Sequence, residues 1–347
     1  MDQKSLNPTT ADWRKIIRLN TRRTYFVIFS FVVIYLGLGF FVDLYLAGNK
    51  YPNVNLSQLL NALIHFDIFP TATVVLGALA VIAVWITFAW HDTLMLLGTD
   101  YHEITPESAR STQELQLYNV VEEMKISAGL KFMPKVYVID ADYMNAFATG
   151  YSEKSAMVTI TRGLLTKLNR AELQAVMAHE LSHIRHLDIK LTLMAAILAN
   201  ITLIVIDILF RGALYGDASR NRDGKNNNGR LFFIIMILRI LLPIVTLLLI
   251  FYLSRTREYM ADAGCVELMR DNQPLANALL KIHNDHVDNK ERYAADYKNT
   301  PHESIRREAY IYDPKQAGIS NMQSISDLFS THPSINKRLA ALGFKKK

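Results

Sequence analysis

The 347 residues include a single cysteine, Cys265. One cysteine forms no bridge within its own chain, so a disulfide scaffold is excluded. A reducing compartment is the simplest setting. Charge is scarce too. Asp, Glu, Lys and Arg make up 20% of the chain against 50% apolar residues, the reverse of the balance that keeps a chain disordered. There is no internal repeat. No cleavable signal peptide is expected, because the first apolar run starts only at Tyr25, is too long for a signal core and lacks a small-residue cleavage site. The net charge of +6 asks for an acidic partner. No nucleic-acid-binding module is recognisable, so nucleic acid is set aside and anionic lipid remains.

What is present is a set of long apolar runs. Tyr25 to Val42 gives 18 residues without a charge, and Ile68 to Trp90 gives 23. Leu191 to Ile206 gives 16 before Asp207, and Leu231 to Leu253 gives 23 interrupted by Arg239. About 20 apolar residues in a helix cross the hydrocarbon core of a bilayer. The first two runs therefore read as transmembrane helices. The last two are read as a further pair, each carrying one charge that spanning would have to accommodate. Asp207 and Arg239 pair across an antiparallel hairpin or snorkel independently.

Orientation follows from cations. Residues 1–23 hold six Lys or Arg, and the loop from Asp43 to Asp67 holds one, Lys50. The positive-inside rule puts the N-terminus in the cytoplasm. The polar loop Arg211 to Arg230 carries five cations and fits this rule poorly. The stretch Trp13 to Leu19 mixes cations with apolar residues, as either an interfacial helix or a solvated tail would.

Two polar stretches remain. In the first, a helix is expected from about Pro106 to Ala128, stopped by Gly129. Strands are expected at Lys135–Ile139, around Asn145–Gly150 and at Ala156–Thr161, with Gly150 turning between the last two. A second helix starts at Asn169, with Glu172 completing a capping box, and is expected to run on into the third apolar segment.

That second helix carries His179-Glu180-Leu181-Ser182-His183, an H-E-x-x-H pattern. Histidines at i and i+4 share one helical face, so both imidazoles can take corners of a zinc tetrahedron. Glu180, rotated toward the same side, can take a proton from water as general base and pass it to the leaving amine. Val176, Met177 and Ala178 directly before the motif suggest a buried helix, where unpaired polar groups would be costly. A catalytic zinc needs a third protein ligand. Glu258 and Asp262, again at i and i+4, are the candidates. One can ligate while the other holds a ligand histidine by its second ring nitrogen. If the last two apolar runs cross as a pair, Glu258 returns to the side that holds His179.

Taken with Asn145-Ala146-Phe147-Ala148-Thr149-Gly150, Thr161-Arg162-Gly163-Leu164-Leu165, Asp188, Arg255 to Asp262, and Ser330-Thr331-His332-Pro333-Ser334 with Arg338, these motifs resemble the HtpX-type membrane zinc metallopeptidases. That group belongs to the gluzincins, with the CAAX-prenyl endopeptidase. The resemblance covers most of residues 130–345. It implies His179, His183 and Glu258 as ligands of one Zn2+ per chain, Glu180 as the catalytic glutamate, and Asp262 as support behind a ligand. It implies Asn145 as a substrate-backbone contact near the edge strand. His332 and Arg338 match an H-P-x-x-x-x-R element. His332 is the candidate donor to the oxyanion, and Arg338 the candidate to steady the ligand carboxylate or the substrate.

The expected fold class is mostly α, α+β: transmembrane helices plus a zincin-like metallopeptidase domain with a small β-sheet. The expected segments are 1–23 cationic, 24–90 two membrane helices, 91–190 the first part of the peptidase domain, 191–253 two further hydrophobic helices, and 254–347 the rest. The resemblance implies a zinc endopeptidase of a bacterial inner membrane, multi-pass, its site facing the cytoplasm. Its implied substrates are misfolded or damaged membrane proteins, in quality control and stress response. Processing of prenylated C-termini ranks lower, and a non-catalytic scaffold or zinc-dependent chaperone is disfavoured by the intact motif. The polar stretch Asn284 to Asn321, with Tyr293, Tyr297 and Tyr310 among charges, is read as a solvated insertion in preference to a lid.

Overall fold

The computed structural model describes residues 7–8, 13–51, 54–96, 99–150, 152–186, 188–216, 228–299, 306, 309–319 and 332–345. Much of the polar loop (217–227), Ser330 and Thr331, and most of the first twelve residues lie outside this set. In chain order the elements are β1 (Asn7–Pro8), α1 (Trp13–Lys50), α2 (Leu56–Ile64), α3 (Thr71–Leu96), β2 (Tyr101–Ile104), α4 (Thr112–Ala128), β3 (Lys135–Ile139), β4 (Ala146–Thr149) and β5 (Met157–Thr161). There follow α5 (Arg162–Lys167), α6 (Arg170–Arg185), α7 (Asp188–Gly216), α8 (Asn228–Met269), α9 (Gln273–Asp288), α10 (Lys290–Asn299), α11 (Ile335–Ala341) and β6 (Phe344–Lys345). The chain divides into one unit of residues 1–24, 88–192 and 253–347, and another of residues 25–87 and 193–252. Among the described residues it is mostly helical, with a small mixed sheet of four strands and an antiparallel β1–β6 pair, the fold class the pattern called for.

In the first unit the sheet runs β2-β3-β5-β4. β3 and β5 are parallel, and each carries an antiparallel strand on its outer side. β3, β4 and β5 are buried almost throughout, as strands covered on both faces must be. Helices α4, α6 and α9 pack with this sheet into one apolar core through Val120, Met124, Val158, Val176, Met177 and Leu279. Gly150, at φ 127°, makes the turn out of β4. A Cβ there would lie 2.6 Å from the Ala156 backbone, so only glycine fits.

Two helix boundaries differ from expectation. α4 starts at Thr112, not near Pro106. Residues 105–108 close a turn of their own, with the Thr105 amide bonding Ser108 Oγ at 2.8 Å. Ser111 then caps the helix by accepting from the Glu114 amide. The H-E-x-x-H helix does not run on into the third apolar segment. α6 ends at Arg185, the His186 amide closing on Ser182 O, and a new helix opens at Asp188.

The stretch after Asn284 is not a solvated insertion. Tyr293 and Tyr310 are buried, and Tyr297 nearly so. With Tyr143 and Phe147 they form a second aromatic core. Tyr143 and Tyr310 share a hydroxyl hydrogen bond of 3.0 Å, and His286 Nε2 lies 3.1 Å from Tyr297 Oη. Charges flank each tyrosine in sequence, but α10 turns Tyr293 and Tyr297 inward on one side, and Tyr310 of the stretch after it is buried beside them.

The stretches Thr21–Lys50 and Phe233–Met269, which lie mostly in the second unit, are long and apolar enough to cross a membrane. Thr71–Ile82 is apolar but shorter among the described residues. Leu38, Val205, Ile206, Leu209, Ile235 and Leu242 make the unit's core. Phe26, Phe29, Val81, Ile208 and Ile240 are exposed on its outside, which suits lipid better than water. Asp43 of α1 caps α3 from a neighbouring helix. Its carboxylate accepts from the Ala72 amide at 2.7 Å and the Thr73 amide at 2.9 Å, where a helix N-terminus favours negative charge. Asp207 and Arg239 form an ion pair of 3.1 Å and do not snorkel apart. Arg211 bonds the other oxygen of Asp207 at 2.7 Å, and the Arg239 guanidinium lies 3.8 Å from the centre of the Phe210 ring.

Candidate metal centre

α6 is placed by its ends and its faces. Asn169 and Glu172 form the capping box at its start. Between them and His186, its apolar residues are buried against the sheet and α9. His179 and Glu180 are therefore carried into the interior. His179 Nε2 and His183 Nε2 point at each other 3.2 Å apart. Glu258 of α8 completes a triangle, 3.6 Å from His183 Nε2 and 3.8 Å from His179 Nε2. One donor atom from each of the three residues falls within 4.8 Å of the others. Two ligands bound at about 2.0–2.1 Å to a tetrahedral zinc stand roughly 3.3 Å apart, which these spacings approach.

Each histidine is held from behind. His179 Nδ1 lies 3.1 Å from Asp262 Oδ1, and His183 Nδ1 lies 2.9 Å from Asp188 Oδ2. Carboxylates at Nδ1 leave the Nε2 lone pairs for a metal. Both carboxylates are themselves gripped by arginine. Arg338 donates to Asp262 through Nε at 3.0 Å and Nη2 at 2.6 Å, and Arg257 donates to Asp188. Arg338 Nη1 also bonds the Ile311 carbonyl at 2.6 Å and lies 3.4 Å from Glu258. His332 places Nδ1 3.3 Å from Glu258 Oε2.

These partners shift the site's acidities. Burial drives His179 down to about 4. Burial also pulls on His183, but its hydrogen bond to Asp188 and the charge of Glu258 push it up to about 9. For His332, burial is outweighed by Glu258 and the value rises. Burial raises Glu180 to about 7. Neither oxygen of Glu180 has a hydrogen bond of ordinary geometry, an arrangement that is costly unless something else occupies the space they face.

The donor set fits a divalent cation. Glu180, Glu258, Asp262 and Asp188 are buried carboxylates, and Arg257 and Arg338 are the guanidinium groups beside them. Two imidazole nitrogens and a carboxylate oxygen converge on one point. This is the N and O ligation that zinc prefers.

Two expected site residues are placed differently. Asn145 was expected to hold substrate backbone, but it is fully buried. Its Nδ2 donates to Tyr312 O at 3.0 Å and Tyr297 Oη at 3.3 Å, and its Oδ1 accepts from the Ala146 and Tyr312 amides. A side-chain amide has two N–H donors and one oxygen, so nothing is left for a substrate. Arg338, also 1% exposed, spends its guanidinium on Asp262 and Ile311 behind the centre. It was expected to steady the ligand carboxylate or the substrate; its bonds go to Asp262, and the ligand carboxylate of Glu258 lies 3.4 Å away.

Three contributors were missed by the sequence reading. Asp188 stood in a motif without a role; its only signal was its place just past the second histidine. Arg257 stood within the Arg255 to Asp262 motif, also without a role. Gly264 carried no signal at all, yet a Cβ there would lie 2.0 Å from Ser182 Oγ. Its missing side chain lets the helix of Glu258 come close against the helix of His179.

A buried H-E-x-x-H helix beneath an edge strand, met by a glutamate from a long helix, together with apolar helices of membrane-spanning length, defines a membrane metalloprotease. Residues 111–344 match peptidase family M48, and the chain belongs to that family. A protease HtpX homolog of Helicobacter pylori strain J99 is 38% identical over 332 residues, covering 96% of this chain and 98% of that protein. Another, from Thermoanaerobacter pseudethanolicus, is 31% identical over 325 residues, covering 93% of this chain and 94% of that one. The crystal structure of S. mikatae Ste24p overlays with a TM-score of 0.49 at 16% identity, covering 98% of this chain and 68% of that one. The chain is thus a hydrolase that acts on peptide or protein substrates.

Proposed function

We propose that the chain is a zinc-dependent endopeptidase of the bacterial inner membrane, crossing it several times with the active site on the cytoplasmic side. Its proposed task is to cleave misfolded or damaged membrane proteins. His179, His183 and Glu258 would hold the ion. A zinc ion so held acidifies water and polarises a peptide carbonyl.

The remaining work falls to the chain's own groups. Glu180 takes the proton from the attacking water and delivers it to the departing amine. A burial-raised pKa near neutrality suits a group that must both accept and return a proton. His332, whose pKa the neighbouring Glu258 raises, donates to the oxygen that gains charge in the tetrahedral intermediate. Asp262 and Asp188 fix which nitrogen of each histidine faces the ion, and Arg338 and Arg257 fix those carboxylates. Six cations in residues 1–23 support the cytoplasmic orientation, and the outward Phe26, Phe29 and Ile240 support contact with lipid.

The observation that carries this reading is the convergence of the three donor atoms beside the buried Glu180. Metal analysis with a cleavage assay tests it, using the full chain in detergent. Wild type should contain about one zinc per chain and cleave a reduced, alkylated protein, with activity lost to a chelator and restored by zinc. Glu180→Gln should keep the zinc and lose at least roughly a thousandfold in kcat. Wild-type activity in the purified variant sinks the role given to Glu180.

A further inference from the structure

β4 is one of the two edge strands of the sheet and lies beside Glu180, whose carboxylate faces the Ala148 amide. A peptide added to such an edge exchanges main-chain hydrogen bonds with every second residue. The register fixes which residues are offered. Thr161 N donates to Asn145 O, and the Asn145 amide bonds Thr161 Oγ1, so Asn145, Phe147 and Thr149 turn toward β5. Ala146 and Ala148 turn outward.

The outward groups of Ala146 are already taken. Its carbonyl accepts from the Ile311 amide at 2.9 Å, and its amide bonds Asn145 Oδ1 at 3.2 Å. The Asn145 side chain extends the edge by one more step, bonding both the amide and the carbonyl of Tyr312 as a neighbouring peptide unit would. The Ile311 carbonyl goes to Arg338. A short stretch of this chain thus lies where an added peptide would continue. It is anchored on both sides: Tyr310 bonds Tyr143, Tyr312 Oη lies 2.7 Å from His283 Nδ1, and both rings are fully buried.

We propose that Ile311 and Tyr312, clamped by Asn145, are a fixed specificity element that closes the Ala146 end of the edge strand. With the Ala148 amide turned to Glu180, substrate main chain then pairs with the Ala148 carbonyl alone. Side chains and substrate conformation on the closed side are not read through strand pairing. The peptide must leave the sheet edge within two residues of Ala148, which favours unfolded or bent segments over regular β-strands. This rests on the peptidase reading above, and the test separates the two.

The experiment is an N-methyl scan. A ten-residue peptide is taken from a site that the wild-type chain itself cuts in a reduced, alkylated protein, and each amide except the scissile one is methylated in turn. If the parent peptide and its source protein are not cut by zinc-loaded wild type, the peptidase reading fails. With the parent cut, kcat/KM is expected to fall roughly tenfold at no more than one position, as for one lost main-chain hydrogen bond. The amide two residues further toward the closed end should stay within about threefold of the parent. Tenfold losses at a pair of amides two residues apart overturn the proposal. They would mean that the Ile311 segment vacates Ala146 for substrate and acts as a displaceable inhibitor, not a fixed wall.

Discussion

Arg338 holds Asp262 with two parallel hydrogen bonds, of 3.0 and 2.6 Å, while Asp262 faces His179 Nδ1 at 3.1 Å. The guanidinium fork suits a carboxylate in a way that a lysine ammonium does not. Arg338→Lys keeps the charge and loses one of the two bonds, so Asp262 is free to rotate away from His179. Zinc affinity should fall roughly 10–100-fold, the usual cost of losing a group that orients a ligand. Competition with a chromogenic chelator measures it. An unchanged affinity would show that Asp262 holds His179 without help.

Gly264 touches no proposed ligand, but its position controls one. A Cβ there would lie 2.0 Å from Ser182 Oγ and 2.9 Å from Ser182 Cβ. Gly264→Ala must push apart the helices that carry Glu258 and His179. Overpacking of this kind costs about 1–3 kcal/mol, and a small displacement of Glu258 weakens metal binding as well. Ser182→Gly removes both clashing atoms. The double variant should therefore bind zinc better than Gly264→Ala alone. Additive losses in the cycle would show that the close contact is not the cause.

Asp188 uses both oxygens, one on His183 Nδ1 and one on Arg257. Asparagine offers one oxygen and one NH2 group. If the NH2 faces His183, it favours the tautomer with a proton on Nε2, which cannot bind metal. If it faces Arg257, two donors collide. Asp188→Asn should lower zinc affinity roughly 10–100-fold and recover most of its kcat at saturating zinc. A kcat that stays low when the metal is replete would place Asp188 in the chemistry, not in support of a ligand.

The parts of this architecture that were legible in sequence are those written in short-range spacing. The i, i+4 histidines, the Asn169–Glu172 capping box and the Gly129 stop each depend on residues within one or two turns. Strand positions followed from runs such as Lys135–Ile139. What escaped depends on chain segments far apart in sequence. Arg338 and Asp262 are 76 residues apart, as are the two ends of a single bidentate contact. Asn145 meets Tyr312 across 167 residues. A motif position shows that a residue type is used, but not whether its polar atoms face a substrate or another part of the fold. Asn145 was misplaced for that reason. Tyr293, Tyr297 and Tyr310 were misplaced because flanking charges lowered the apparent hydropathy of a stretch whose rings all point inward. Gly264 was invisible because the absence of a side chain leaves no pattern.

His286 is a buried histidine away from the metal centre. Burial drives it to about 4, below its ordinary 6.5, while its ring stays between Ile282 O and Tyr297 Oη. The sign follows from proton binding. Between pH 6.5 and about 4 the unfolded chain holds a proton on this residue that the folded chain lacks. Its contribution to stability is therefore complete above pH 6.5, falls as pH drops through that window, and stops falling near pH 4. At pH 5 the loss attributable to this one residue is on the order of 2 kcal/mol. His286→Gln retains a polar group for Tyr297 but does not titrate. The variant starts less stable, yet its stability should change less between pH 7 and 5 than that of wild type. Thermal or denaturant unfolding of both proteins at several pH values gives the two slopes, and zinc release at low pH contributes to each alike. Parallel slopes would mean that His286 is charged in the folded protein, with its proton accommodated among the tyrosines.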